Sequence, residues 1–303
     1  MIILIVGLPV FTHKIANDLN EFDKSNRYIA LNTYYSWKDK FLFFLLLPFS
    51  KIVISFNGVT DNSRVLNWTI RYKKKLIMQW MGTDALLAMK RFKENTINRK
   101  YIDYATHFVD SPWQEKEVES VKLNPKFIRF KYGREIKPLD RYLDIHILSY
   151  IAQNKQEFYG IKKIINAAEQ FPTVEFRIAG MTKCDFKTPN NVKAIGWLDA
   201  VGMEKELKNA AIFVRMTDHD GFSVSVIEAI SIGAEVIWSH EAECVHYVQN
   251  IEEMNRAINN AIEQIKKRDY KPNQKTLEFA KTYYGKPELM HNYIQELKNI
   301  INK

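Results

Sequence analysis

The chain has 303 residues, of which 46% are hydrophobic and 13% aromatic. This composition supports packed cores and excludes a disordered protein, and the length predicts about two domains. Lysine and arginine number 44 against 35 acidic residues, and the net charge of +9 favours anionic partners such as phosphorylated ligands or an anionic membrane face. Nucleic acid is not expected, because the sequence has no zinc-finger spacing, RNA-binding aromatic signature or strongly basic tail.

Strand-like and helix-like segments alternate along the first half, a pattern typical of parallel sheets built from βα units. The N-terminal apolar run has no basic segment before it and is interrupted by Gly7 and Pro9, so it predicts a first strand and not a signal peptide. Predicted strands cover residues 1–6, 27–31, 51–56, 75–79, 105–109 and 127–130, and predicted helices cover 12–20, 37–47 and 62–73.

The most apolar stretch, residues 41–48, is far shorter than the ~20 residues needed to span a bilayer. We favour a helix followed by a strand. An interfacial anchor is left open, because Trp37, Lys38 and Lys40 flank the stretch. The expected location is the cytoplasm, with peripheral membrane association as an open alternative. Cys184 and Cys244 agree with a cytoplasmic protein, since their number and spacing indicate reduced thiols.

A turn-rich segment at residues 132–143 indicates the boundary between two halves. The second half contains predicted strands at 144–151, 174–179, 192–195, 211–216 and 235–238, and predicted helices at 160–169 and 203–209. Two helices, broken near Gly285, are expected within residues 275–303. The sequence therefore predicts an α/β protein with domains at 1–135 and 136–280 and a terminal segment at 281–303.

The clearest functional signal lies between residues 211 and 238. A buried strand leads through Gly221 into a helix that Ser223 or Ser225 could cap, and Gly233 is placed to end that helix. Asp220 and Glu228 are separated by seven residues, one in the turn and one inside the helix. A helix N-terminus binds phosphate, and carboxylates accept hydrogen bonds from sugar hydroxyls. The unit therefore predicts a nucleotide-sugar site; the alternative is an ordinary strand–turn–helix with solvated acids.

The run DGFSVSVIEA, from Asp220 to Ala229, resembles the acid-x7-Glu signature of retaining GT-B glycosyltransferases of the family 4-like group. That signature usually begins Glu-Gly-Phe-Gly, whereas this chain has Asp220 and Ser223 at the first and fourth places. The resemblance implies two Rossmann-like domains with parallel sheets facing a central cleft, and a last helix that crosses back to the first domain. It implies a nucleotide-sugar donor in the second domain, an acceptor hydroxyl in the first, retention by front-side displacement, and no metal cofactor.

The same resemblance assigns donor contacts. Relatives carry an arginine and a lysine five residues apart after the first strand of the second domain, at places taken here by Asn154 and Tyr159. Lys155 is the cation left in this loop and Arg215 is a second source of charge, so the missing pair puts activity or the usual donor in question. Trp197 either stacks on the base or belongs to the core. The predicted donor-binding residues are Gly7, Lys155, Gly196, Trp197, Arg215, Gly221, Phe222, Ser223, Val224 and Glu228, and Asp220 is predicted to be catalytic.

A second loop, residues 76–84, resembles the loop that reads His-Gly-Thr-Asp in relatives. Met81 stands at the histidine place, which leaves Asp84 as the predicted catalytic residue that handles a proton. Asn57, Gly82 and Thr83 are the predicted acceptor contacts, for a glycan, a lipid-linked saccharide or another hydroxyl. The alternative is a helix start capped by Thr83 or Asp84.

Three other functions stay open at this point. The triplet Asp218-His219-Asp220 resembles the metal-binding D-x-D of GT-A glycosyltransferases, although it lies late in the chain. A GT-B epimerase of nucleotide sugars shares the predicted fold. A non-catalytic GT-B-like partner subunit would explain the missing arginine and lysine pair.

Overall fold

The computed structural model describes residues 1–133 and 135–302, which form two compact units. The first unit joins Met1–Lys131 to the segment that begins at Lys286, and the second unit is Tyr132–Gly285. Each unit contains a six-stranded sheet, and every strand pairing in both sheets is parallel. The predicted α/β class with two parallel sheets is confirmed.

The first unit has strands and helices that alternate along the chain. Its strands are β1 (Ile2–Gly7), β2 (Arg27–Leu31), β3 (Ser50–Phe56), β4 (Lys75–Gln79), β5 (Thr106–Val109) and β6 (Pro125–Phe127). Its helices up to the linker are α1 (Pro9–Phe22), α2 (Trp37–Leu46), α3 (Arg64–Arg71), α4 (Thr83–Lys93), α5 (Arg99–Ile102) and α6 (Pro112–Ser120).

The second unit repeats this organisation. Its strands are β7 (His146–Tyr150), β8 (Glu175–Ala179), β9 (Val192–Gly196), β10 (Ile212–Arg215), β11 (Glu235–Trp238) and β12 (His246–Tyr247). Its helices are α7 (Ile161–Gln170), α8 (Ala200–Asn209), α9 (Val224–Ser231), α10 (Ile251–Lys267) and α11 (Gln274–Tyr283).

The strand orders place one crossover reversal in each sheet. They are β2-β1-β3-β4-β5-β6 in the first unit and β12-β11-β10-β7-β8-β9 in the second. The chain therefore leaves β1 in one direction and returns to its other side with β3, and it does the same around β7 with β10. Ligands of open parallel sheets bind beside the carboxyl ends of the strands at such a reversal. The loops after β1, β3, β7 and β10 are consequently the places to look for a site.

The terminal helix α12 (Lys286–Asn302) belongs to the first unit and packs against α1. The Lys286 ammonium contacts the carboxylates of Asp18 and Glu21 at 2.9 and 2.6 Å. The ring of His291 meets Phe22 edge to face, with 5.6 Å between centroids. These contacts join residues more than 260 positions apart in the sequence.

Two predicted boundaries are wrong for identifiable reasons. Helix α1 begins at Pro9 and not near residue 12, because proline is tolerated at the first helical position, where its missing N–H costs no hydrogen bond. The strand predicted at 127–130 lies instead at Pro125–Phe127, and Phe130 is a core side chain against Phe56. Helices α4, α5, α6 and α10 were not assigned from the sequence.

Replacement of Gly160 by alanine is expected to destabilise the second unit. Gly160 has a φ of +76°, and a Cβ built on it would lie 2.3 Å from the Met216 carbonyl oxygen. Because backbone atoms cannot move aside cheaply, Gly160→Ala should lower the free energy of unfolding by about 2–3 kcal/mol in urea titrations. Gly202→Ala, inside helix α8, is the matched control and should cause no loss. Equal stability of the two variants would contradict the close approach.

Candidate functional site

The motif between β10 and α9 places its two acids in different environments. Glu228 lies on α9 and is only 4% exposed, whereas Asp220 lies in the turn and is partly buried. A buried carboxylate is rare on an ordinary helix face, because removing its charge from water is costly. The alternative in which both acids are solvated is therefore wrong for Glu228.

Arg215, at the end of β10, forms the electrostatic centre of this turn. Its Nε donates to Asp220 Oδ2 at 2.5 Å, and both side chains are largely buried. Its guanidinium carbon lies 5.4 Å from the ring centroid of Tyr159, close enough for a cation–π contact. Burial raises the pKa of the Tyr159 hydroxyl, against the opposing effect of Arg215. A fixed positive charge therefore lies beside the loop that follows β7.

The loop after β7 lies directly against the loop after β10. The Asp218 N–H donates to the Phe158 carbonyl oxygen at 2.9 Å, and Gly160 lies against Met216. Lys155 and Asn154 are exposed in a short 3-10 turn, Gln153–Lys155. The structure thus brings Arg215, Asp220 and Tyr159 together at the crossover reversal.

Helix α9 begins without a side-chain cap. Its N-cap is Ser223, one of the two predicted choices, but the Ser223 side chain forms no capping hydrogen bond. The Ser223 and Ser225 hydroxyls lie 2.9 Å apart and bond to each other. Predicted capping by a serine hydroxyl is therefore wrong. Gly221 and Ser223 are buried at this helix start.

The linker approaches Glu228 closely at Gly133. A Cβ on Gly133 would lie 2.8 Å from Glu228 Cγ and 3.2 Å from its Cα, so only glycine fits without displacing the acid. By the family resemblance, Gly133 and Arg134 stand where relatives have a hinge, and Arg134 lies outside the described residues. The Gly133 contact was not predicted, and no pattern in the sequence links it to α9.

Other predicted donor contacts have different surroundings. The Phe222 ring is buried between Trp238 and Tyr284, with centroid distances of 5.2 and 5.3 Å, so its side chain belongs to an aromatic cluster. Trp197 is 75% exposed, and the alternative that it is a core residue is wrong. Gly196 ends β9 with a φ of +81° and donates its N–H to Met181.

In the first unit, the Asp84 carboxylate is 7% exposed and is surrounded by backbone donors. It accepts from the N–H groups of Met81, Gly82 and Ala85 at 2.8–3.1 Å and from Gly58 N–H at 2.6 Å. Burial raises the pKa of the Asp84 carboxyl, and these four donors act to lower it. The geometry gives Asp84 a positioning contact between two loops, and its proton-handling role stays a prediction.

The alternative of a helix start capped by Thr83 or Asp84 is wrong about the cap. Helix α4 begins at Thr83, which is exposed, and its N-cap is Gly82, with a φ of +145°. Asn57, in the loop after β3, donates its side-chain N–H to Tyr34 Oη at 3.1 Å. The loops that carry Asn57, Gly82 and Thr83 are thus joined through one buried carboxylate, as the carboxyl ends of adjacent parallel strands allow.

A buried polar network that the sequence did not indicate supports the Gly82 loop. Lys131 Nζ contacts Asp110 Oδ2 at 2.7 Å, with both side chains buried. The Gln114 amide, with its nitrogen toward Asp110, accepts from Gly82 N–H at 2.8 Å. Removing either charged partner would leave a buried unpaired charge, which typically costs 3–5 kcal/mol. Lys131 belongs to no motif of the sequence, so no sequence signal identified it.

A cavity of 510 Å³ opens at the crossover reversal of the first sheet. Its walls come from the ends of β1 and β3, from α2 and from the start of α3: Val6, Gly7, Thr33, Tyr34, Lys40, Phe44, Ser55, Val59, Asp61, Asn62, Ser63, Arg64, Val65 and Leu66. Gly7, predicted as a donor contact, therefore lines a cavity of the first unit. Lys40 and Arg64 give this cavity two basic side chains.

The structure gives no support to the D-x-D alternative. Asp220 is engaged by Arg215, whereas Asp218 is exposed. Within residues 1–133 and 135–302, no three His, Cys, Asp or Glu side chains are grouped as metal ligands.

Comparison of the whole chain with solved structures identifies its fold. It superposes on sucrose-phosphate synthase from Thermosynechococcus elongatus with a TM-score of 0.69, 13% identity, and coverage of 100% of this chain and 99% of that one. For the lipopolysaccharide outer core galactosyltransferase WaaB the values are 0.65, 13%, 99% and 99%. For a Listeria monocytogenes protein assigned as a UDP-N-acetylglucosamine 2-epimerase they are 0.59, 12%, 99% and 96%. No protein-family model and no curated protein sequence matches the chain. The chain therefore has the GT-B fold.

The pKa of His240, in the second unit, allows a test of how stability depends on pH. His240 follows β11 and stacks near Trp238 at 5.3 Å between centroids, and burial lowers its pKa to about 4. Its ordinary pKa is near ~6.5, so the unfolded chain takes up the proton first as the pH falls. The contribution of His240 to the free energy of unfolding is therefore fully present above pH ~6.5. It is lost as the pH falls from ~6.5 to 4, by up to about 1.4 kcal/mol per pH unit.

His240→Gln should consequently lose less stability than the parent between pH 7 and pH 5, by up to about 2 kcal/mol in urea titrations at the two pH values. His13→Gln, at an exposed position of α1, is the control and should keep the pH dependence of the parent. Identical pH dependence of His240→Gln and the parent would show that His240 is not held neutral.

Proposed function

We propose that the protein is a nucleotide-sugar-dependent glycosyltransferase that moves a sugar to an acceptor hydroxyl with retention and without a metal ion. The observation that carries this proposal is the acid-x7-Glu unit at the crossover reversal of the second sheet, with Asp220 held by Arg215 and Glu228 buried on α9. The GT-B fold supports the same class of reaction. Two unpaired cysteines agree with action in the reducing cytoplasm.

The donor diphosphate is assigned to the start of α9. First-turn N–H groups without a side-chain cap, together with the helix dipole, favour an anion there. Glu228 is assigned to the ribose hydroxyls, with Gly133 keeping its side chain in place. Asp220 is assigned to a hydroxyl of the transferred sugar, since a carboxylate oriented by an arginine keeps acceptor capacity for a second donor.

Arg215 is assigned the charge that relatives obtain from an arginine and lysine pair. Tyr159 stands at the lysine place of the resemblance, and the guanidinium of Arg215 lies over that tyrosine ring. The positive charge thus comes from β10 and not from the loop after β7. A charge that develops on the leaving diphosphate is best stabilised by a donor already in position.

The proposed reaction is the front-side displacement with retention that the family resemblance implies. The bond between the anomeric carbon and the diphosphate oxygen breaks, and the acceptor oxygen bonds to the same face of that carbon. The proton of the acceptor hydroxyl passes to the departing diphosphate oxygen. The acceptor, a glycan, a lipid-linked saccharide or another hydroxyl compound, is assigned to the cavity of the first unit, beside Asn57 and the Asp84-positioned loop.

The central experiment measures nucleotide binding. Thermal shifts with UDP, GDP, ADP and CMP and their sugars should identify one donor, since a ligand at 100 times its dissociation constant adds ~2.7 kcal/mol. Glu228→Gln should weaken that nucleotide about ten- to a hundred-fold in calorimetry, because a hydrogen bond to a charged group contributes ~1.5–3 kcal/mol. The control Glu169→Gln changes an exposed acid on α7 and should bind like the parent.

The outcome separates the competing functions. Transfer that survives EDTA supports the proposed mechanism, and transfer restored only by manganese favours a metal site at Asp218 and Asp220. Donor consumption without an acceptor indicates an epimerase, the class suggested by one of the compared structures. A chain that binds none of the nucleotides is a non-catalytic subunit, and the proposal then fails.

The proposed role of Arg215 can be tested by moving its positive charge to position 159. Arg215→Gln should weaken binding of the nucleoside diphosphate about ten- to a hundred-fold, because it removes a charged hydrogen bond donor. Tyr159→Lys added to Arg215→Gln should recover most of the lost affinity, since it returns a cation to the place that relatives use. Circular dichroism melts verify that both variants fold. If the double variant binds the nucleoside diphosphate no better than Arg215→Gln does, the contribution of Arg215 to binding is not its positive charge.

A further inference from the structure

Helix α2 exposes an apolar face to solvent. Trp37, Phe41 and Leu45 stand four residues apart and are 73, 60 and 52% exposed. Side chains four positions apart lie on the same side of a helix. Phe43 is the single residue of α2 that is buried. Residues 41–46, the second part of α2, are all apolar, and an apolar helical segment is ordinarily enclosed. This face therefore requires an apolar environment that the described residues of the first unit do not supply.

The exposed face continues beyond α2. The Phe44 ring packs edge to face on Trp68 of α3, with 5.8 Å between centroids, and Trp68 lies 5.9 Å from Tyr72. Phe49 follows α2 and is 73% exposed. The apolar patch, as we call it, consists of Trp37, Phe41, Leu42, Phe44, Leu45, Phe49, Trp68 and Tyr72, all of them exposed. Contiguous exposed apolar area of this kind marks an interaction surface.

Positive charge is concentrated around the apolar patch. Residues 34–75 contain eight lysines and arginines and only two acids, a net charge of +6 out of +9 for the whole chain. Both acids are engaged: Asp39 accepts from Asn32 N–H at 2.8 Å, and Asp61 pairs with Arg91 at 3.1 Å. The basic residues are Lys38, Lys40, Lys51, Arg64, Arg71, Lys73, Lys74 and Lys75. Their excess charge is therefore available to an anionic partner.

We propose that the apolar patch and its basic rim dock the protein on an anionic lipid bilayer, with α2 lying in the interface. Aromatic and aliphatic side chains enter the headgroup boundary in such a helix, and lysines and arginines meet the lipid phosphates. No helix within the described residues has the length and apolarity required to cross a bilayer. A second copy of the chain is a poorer occupant, since two faces of charge +6 repel each other.

The patch and its basic rim border the cavity of the first unit, because Phe44 of the patch and Lys40 of the rim also line that cavity. A docked protein would hold this cavity beside the lipid headgroups. Lipid-linked acceptors are therefore the class that the geometry favours, an extension that rests on the proposed transferase function. Membrane docking itself does not depend on turnover, so the two proposals fail separately.

Vesicle flotation tests the docking surface directly. The parent protein is mixed with vesicles of phosphatidylcholine alone or with about 30% phosphatidylglycerol, at low and high salt. We expect at least ten-fold stronger partitioning to the anionic vesicles, weakened by salt. Phe41→Ser with Leu45→Ser should reduce this partitioning at least ten-fold. Lys38→Gln with Arg71→Gln should reduce it by about five-fold for each charge removed, at ~1 kcal/mol per basic residue.

The control Leu143→Ser removes an apolar side chain that is 96% exposed in the second unit, and it should bind like the parent. Thermal melts verify that every variant folds, as expected for exposed positions. The proposal is overturned by equal partitioning of parent and Phe41→Ser/Leu45→Ser, or by equal binding to neutral and anionic vesicles. It is also overturned if the parent binds no vesicles and sedimentation shows that the parent is a dimer whereas this double variant is a monomer.

Discussion

All strand pairings in the two described sheets run parallel, and most of what the protein can do follows from this constraint. A parallel sheet brings the carboxyl end of every strand to one edge, so the loops that leave β1 and β3, or β7 and β10, become neighbours. In the second unit this brings Arg215 and Tyr159 into contact, although they are 56 residues apart. In the first unit the same constraint opens a cavity whose floor is formed by strand ends.

Buried charge organises these loops. The Asp84 carboxylate binds backbone N–H groups of two loops, and the Lys131–Asp110 pair supports one of them. Buried ion pairs contribute little net stability, because desolvation offsets their attraction, but their geometry is strict. The Arg215–Asp220 pair in the other unit has an equally strict geometry, and its arginine carries a charge suited to a phosphate. A site that binds one nucleotide and one sugar requires polar side chains that are held in fixed positions.

The charge of the chain is distributed unevenly, and its location has consequences for function. Six units of the excess positive charge lie in residues 34–75, which also contain large apolar side chains that are exposed among the described residues. The proposed donor contacts lie in the second unit and depend on one arginine and a helix N-terminus. The two proposals, docking on an anionic surface and recognition of a diphosphate, thus rest on different elements of the protein.

The sequence determined the α/β class, most of the sheet-forming segments and the acid-x7-Glu unit, because hydrophobic periodicity and glycine positions are local signals. It predicted a helix and a following strand around the apolar stretch at 41–48, but not which side chains of that helix are exposed, since periodicity does not reveal which faces a neighbour covers. Only the tertiary structure decided that Asp84 binds backbone, that Gly133 lies on Glu228 and that Lys131 pairs with Asp110. These contacts join residues 2 to 95 positions apart, and the long-range ones depend on strand order and loop approach, which no local pattern encodes.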